Sequence, residues 1–86
     1  MPNTHTRSQR VLFSVEFIAK ADDDHYGRWY VVVAGLRYGI WPAWTDMARY
    51  VIGVRRSVHQ SFDTRAEAEA YYYAHRDAGT LRRLYK

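Results

Sequence analysis

The segment 28–34, with Trp29-Tyr30-Val31-Val32-Val33 inside it, carries the strongest strand signal in the chain. Aromatic and β-branched side chains in a row suit a pleated surface with burial behind it. The residues that follow, Gly35-Leu36-Arg37-Tyr38-Gly39, form a tight connection whose two glycines accept positive φ, which favours a hairpin over a crossover. Ile40-Trp41 restarts a short strand and Pro42 ends it, at a place that also suits the first turn of a helix. Trp44, Met47, Ala48 and Val51 recur at i, i+3, i+4 and i+7, which predicts a helix over 43–52 with one apolar face, stopped by Gly53.

A third strand is predicted over 57–62, with Val58, Gln60 and Phe62 on one side. Thr64 followed three residues later by Glu67 has the spacing of a capping box, and alanine-rich sequence carries a helix to about Asp77, where Gly79 is a natural stop. Ala68, Tyr71, Tyr72 and His75 share one face of that helix. The run Tyr71-Tyr72-Tyr73 spans most of its circumference, so at least one ring is expected to be exposed or covered by a partner. Ahead of the hairpin, residues 11–19 alternate, with Val11, Phe13, Val15, Phe17 and Ala19 on one side, and the cluster Asp22-Asp23-Asp24-His25-Tyr26-Gly27 breaks the pattern as a loop. The expected class is α+β. Residues 1–10 read as a disordered terminus, 11–25 as a strand-like arm with an acidic loop, 26–79 as one compact domain and 80–86 as a basic tail.

Composition narrows the functions. A chain of 86 residues buries roughly 60–65% of its unfolded surface, enough for a modest core but hardly for an enclosed catalytic cavity beside it. Three Trp, eight Tyr and three Phe let a small core close, and any ring left outside becomes contact surface. The absence of cysteine removes disulfides, thiolate chemistry and the common structural zinc sites, and makes an intracellular setting, cytoplasm or nucleus, the expectation. No apolar run approaches the length of a membrane span, and no signal peptide is expected. The net charge of +4 is uneven: residues 26–62 hold five arginines against the single Asp46. Such a surface attracts phosphate backbones.

No catalytic pattern is present. Ser57, His59 and Ser61 lie close together without a glycine-framed elbow, and Gly35 to Gly39 lacks the spacing and the Gly-Lys-Ser/Thr of a phosphate loop. His5, His25, His59 and His75 are scattered without the spacing of a helical metal pair, and Asp22-Asp23-Asp24 lacks the glycine and terminal glutamate of a calcium loop. No enzyme activity, cofactor or metal is expected.

Taken in order, Trp29-Tyr30-Val31-Val32-Val33-Ala34-Gly35, Gly39-Ile40-Trp41, Trp44-Thr45-Asp46 and Ser61-Phe62-Asp63-Thr64-Arg65-Ala66-Glu67-Ala68-Glu69-Ala70-Tyr71 resemble one known arrangement, the N-terminal hybrid-binding domain of type 1 ribonucleases H, also found in caulimovirus viroplasmin. The resemblance implies a three-stranded antiparallel sheet with two short helices, to which this chain adds the N-terminal arm. It implies a non-catalytic module that grips RNA–DNA hybrid and, more weakly, double-stranded RNA, through backbone contacts to 2′-hydroxyls and through aromatic and basic contacts to the DNA strand. Tyr30 falls at the family's strand tyrosine, Trp44 at the helix-start tryptophan that packs on the DNA backbone, and Arg37 within the basic turn. His59, Gln60 and Ser61 stand where the family commonly has Phe-Lys-Lys, and Val33 and Ala34 stand where arginines are frequent. Arg55, Arg56 and Arg28 compensate only if they share the face.

The candidate nucleic-acid-binding residues are therefore Tyr30, Arg37, Trp44, Arg55, Arg56, His59, Gln60 and Ser61, whereas Trp29 and Trp41 are expected to be packing residues. The alternative is a protein-interaction or self-association module, a homo-oligomer built through Val11, Phe13, Val15, Phe17, Tyr72 and Tyr73.

Overall fold

The computed structural model describes residues 14–86, so Val11 and Phe13 of the arm lie outside the described residues. The order is β1 (Glu16–Ile18), β2 (Trp29–Gly35), β3 (Tyr38–Trp41), α1 (Trp44–Met47) continued by a 3-10 turn (Ala48–Tyr50), β4 (Val58–Phe62), α2 (Arg65–Ala78) and β5 (Arg82–Arg83). The strands form one sheet in the order β1-β3-β2-β4, with β5 also against β2. The expected antiparallel trio is present. β3 pairs β2 with Val31 opposite Ile40, and β4 pairs β2 with Val31 opposite Gln60. The arm contributes a short strand parallel to β3, Phe17 beside Gly39, and β5 is an addition that no pattern in the sequence announced.

Two helical segments cover the two faces of β2. Trp29, Val31 and Val33 pack with Ile40 of β3 against Ala68 and Tyr72 of α2. Val32 packs on the other side with Trp41, Met47 and Val51. Between Trp29 and Gly35 only Tyr30 is more than slightly exposed, which explains the near-continuous apolar run: an inner strand covered on both faces cannot alternate.

α2 begins as its sequence dictates. Thr64 Oγ1 accepts from the Glu67 N–H, the Glu67 carboxylate accepts from the Thr64 N–H, and Gly79 closes the helix in the left-handed region at φ 72°. The first helix is shorter than the apolar spacing predicted, because Ala43 offers no side-chain cap and the chain tightens into a 3-10 turn at Ala48. Its Met47 is still fully buried, and the Leu36 N–H donates to the Tyr50 carbonyl at 2.9 Å, pinning the segment to the sheet.

The tyrosine run corrects two expectations. Tyr72 is fully buried at the centre of the core, so it offers nothing to an association surface. Tyr71 and Tyr73 are half-buried rather than exposed, Tyr71 against Phe62 at 5.2 Å between ring centroids and Tyr73 under the Arg76 guanidinium at 5.7 Å. Phe62 of β4 on one flank and the long Arg76 side chain of α2 itself on the other shield rings that a bare helical wheel leaves open.

Tyr72 also locks the arm. Its hydroxyl donates to the Glu16 carboxylate at 2.6 Å, and Arg76 Nε lies 3.3 Å from the same oxygen. Burial, then the Glu16 carboxylate, push the phenol far above its ordinary value. Because the folded value is raised, the unfolded chain gives up this proton first. The stability it contributes is intact below about pH 10 and drains away above it. In an alkaline titration, part of the phenolate absorbance should therefore appear only as the circular dichroism signal is lost. Ionisation of all eight tyrosines while the fold persists would contradict that burial.

Candidate functional site

The pairing register decides what reaches the face opposite α2. Residues directly opposite one another point the same way. Tyr30 with Ser61 and Trp41, and Val32 with His59 and Gly39, therefore line that face, and Phe17 joins them beside Gly39. Gln60 pairs with Val31 and belongs to the α2 side, so one of the three positions that replace Phe-Lys-Lys is turned away from the other two.

The rings form two adjoining groups. Phe17 stacks on Trp41 at 5.4 Å and 25°, and Trp41 meets Tyr50 at 5.5 Å. Trp44 stands edge-on to Tyr30 at 6.3 Å and tilts over His59 at 5.4 Å. Trp29 and Trp41 are buried, as the packing role requires, whereas Trp44 is 39% exposed and Tyr30 half-buried. Trp44 reaches this place because it opens α1 two residues after Pro42. An indole held on two sides by other rings, with its third side open, presents a flat apolar surface without having to be ordered on contact.

The arginines divide by what they already touch. Arg37 is half-buried, with its guanidinium 5.5 Å over Phe17 and 5.4 Å over Tyr50 and a long bond of 3.4 Å to the Tyr50 hydroxyl. It braces the hairpin against two rings instead of projecting freely. Arg28 donates to Ser61 Oγ at 2.9 Å and to the Ser61 carbonyl at 3.2 Å, and pairs with Asp63 at 2.5 Å. Arg55 and Arg56 are exposed in the turn before β4, and Arg56 holds φ 68°, the positive value that a side chain adopts at a cost. The turn places them some three to four residues, about 10–13 Å of extended chain, ahead of His59.

A cleft of about 470 Å³ adjoins the rings, lined among others by Phe17, Trp41, Tyr50, Lys20, Asp22 and Asp46. Its lining sets Asp22 and Asp46 against Lys20 and Arg37, so it offers a polyanion no net attraction. Among the described residues no group of His, Asp or Glu is arranged to hold a metal, and no helix is long and apolar enough to cross a membrane.

Of the residues named from the sequence, the fold brings Tyr30, Trp44 and His59 together; Ser61 shares their face but is tied to Arg28. Sequence reasoning placed Phe17 in an association arm, whereas the residue stacks on Trp41, and it passed over Tyr50, which lies off the apolar stripe of its helix. No local pattern marks either one, since both gain their partners from other strands. Val15, also assigned to association, is half-buried, and its carbonyl accepts from the Tyr38 N–H at 3.1 Å.

A family model described as "Ribonuclease H1 N-terminal domain" matches residues 28–72, which is 45 of the 86 residues. No curated protein and no solved structure matches the chain.

Proposed function

Because the chain belongs to the ribonuclease H1 N-terminal domain family, we propose that it is a non-catalytic binding module for RNA-containing duplexes, RNA–DNA hybrid or double-stranded RNA. The matched module is the N-terminal one and not the catalytic domain of those enzymes, so the reading is binding without cleavage. The observation that carries it is the exposed Trp44, propped between Tyr30 and His59 on the sheet face opposite α2, with Arg55 and Arg56 in the turn that leads into the same strand.

The chemistry fits such a duplex. An A-like helix offers a wide, shallow groove with 2′-hydroxyls and sugar faces, a shape that a flat ring patch meets without reading sequence. Arginines beside the rings supply the phosphate attraction on which affinity and salt dependence rest. With the family's lysines replaced, binding should sit near the non-specific range, about 10⁻⁴ to 10⁻⁶ M at physiological salt, and tighten steeply as salt falls.

Fluorescence anisotropy with a labelled RNA–DNA hybrid, a double-stranded RNA and a DNA duplex of one sequence tests the proposal. The expected result is binding to the first two ahead of DNA. Failure to bind either RNA-containing duplex at low salt rejects it. For self-association, the other reading, Tyr72 is inside the core and gives no surface, while Glu16–Ile18 pairs with β3 along one edge as the outer strand of the sheet.

A further inference from the structure

We propose that the C-terminal tail is a second phosphate-binding surface, in which Arg82, Arg83 and Lys86 are docked beside Arg55 and Arg56 and take up the backbone of the duplex that lies on the Trp44 patch. This rests on the duplex-binding reading above and extends its footprint to residues beyond the family match, which ends at residue 72.

The tail is anchored, not trailing. Gly79 turns the chain out of α2, the Thr80 N–H donates to the His75 carbonyl at 2.9 Å, and Leu81 packs against the core. β5 then runs parallel to the end of β2, Arg82 beside Ala34 and Arg83 beside Gly35, and the Leu84 N–H donates to the Gly35 carbonyl at 2.8 Å. Ala34 also faces Val58, the residue two places after Arg56. Lys86 closes the group: a Cβ built on Gly53 would meet its Cε at 3.5 Å and its Nζ at 3.8 Å. The same end of the sheet therefore receives Arg55 and Arg56 from one turn and Arg82, Arg83 and Lys86 from the tail.

Among the described residues none of these five is in an ion pair, a trait they share with Lys20 and Arg49; the pairs there are Arg28–Asp63, Arg65–Glu69 and Arg76–Glu16. Most acids lie elsewhere: Asp63 and Glu67 follow the far end of β4, and Asp22 to Asp24 lead into the loop before Trp29, the residue that pairs with Phe62, whereas Asp77 lies in the last turn of α2, five residues before Arg82. β2 has seven residues, a length of about 23 Å, well beyond the roughly 10 Å over which 0.1 M salt screens charge. Cations at one end thus repel one another without relief from acids at the other. A run of phosphates supplies that relief and releases its own counterions in doing so. Arg56 fits this reading, since a glycine would take its positive φ more easily but would bring no charge.

The test is the salt dependence of binding to an RNA–DNA hybrid, for the wild type, for Arg82→Gln, Arg83→Gln and Lys86→Gln combined, for Arg82→Lys with Arg83→Lys, and for Trp44→Ala. Each phosphate contact contributes roughly 0.9 to the slope of log K against log salt, so the glutamine variant should lose about 2 to 3 and bind 10- to 1000-fold more weakly near 0.1 M. The lysine variant keeps the charges and should keep the slope, which separates charge from any disturbance of β5. Trp44→Ala should weaken binding with the slope nearly unchanged. A glutamine variant with the wild-type slope overturns the tail surface and leaves the ring patch standing. A reduced slope together with a Trp44→Ala variant that binds normally keeps the tail and overturns the patch. Absence of binding by the wild type at low salt overturns both.

Discussion

Replacing Gly39 by alanine should cost at least about 3 kcal/mol, a large share of the 5–15 kcal/mol that holds a typical domain together. A Cβ at that position would lie 1.8 Å from the Phe17 carbonyl oxygen and 2.7 Å from its carbon, a collision with backbone that no rotamer can relieve. The φ of 150° adds strain for any side chain. Either β1 moves off β3 or β3 moves off β2, and the second would open both cores, since Ile40 and Trp41 belong to one each. The less costly escape is release of β1, which unstacks Phe17 from Trp41 and takes Glu16 from Tyr72. Chemical denaturation and a thermal scan measure the loss, and a domain of this size should melt more than about 12 °C lower. Gly79→Ala is the control. Its site shares a positive φ but has nothing within 4 Å, so its cost should stay near 1 kcal/mol. If the two substitutions cost the same, β1 does not lie on β3 in this register.

Replacing Trp44 by alanine should weaken binding to RNA-containing duplexes by about 10- to 100-fold, in line with the 1–3 kcal/mol that an aromatic contact to a nucleotide typically contributes. The side chain is more than a third exposed and its Cα opens a short helix whose core contacts come from Met47, so the fold should survive the change. Trp44→Phe keeps a ring against Tyr30 and His59 and should retain most of the affinity. His59→Ala removes one of the two props and should fall between. Anisotropy titrations at fixed low salt, with circular dichroism to verify folding, give the comparison. Equal affinities for wild type and Trp44→Ala would mean that the exposed indole is not part of the contact surface.

Part of this was legible because the determinants are local. The capping box of Thr64 and Glu67 and the stop at Gly79 act within one turn, so spacing alone reveals them. The same holds for the β2–β3 hairpin, whose short connection leaves an antiparallel partner as the natural outcome. Trp44 and Tyr30 could be named from family resemblance, yet nothing in their own neighbourhood says which is exposed. That depends on α1 holding the Trp44 ring edge-on to Tyr30 and over His59 while Met47 goes into the core beside Val32 and Trp41.

The sequence by itself therefore determined the hairpin, the third antiparallel strand, the capped second helix and an excess of rings and arginines for a chain of this length. The tertiary structure alone decided that Phe17 belongs with Trp41, that Tyr72 is sealed inside, and that a two-residue strand carries the tail to the arginine turn. The reason is physical. A turn or a cap is decided by interactions a few residues apart, whereas a parallel neighbour or an edge strand is chosen by contacts across dozens of residues, between segments whose sequences carry no mark of each other.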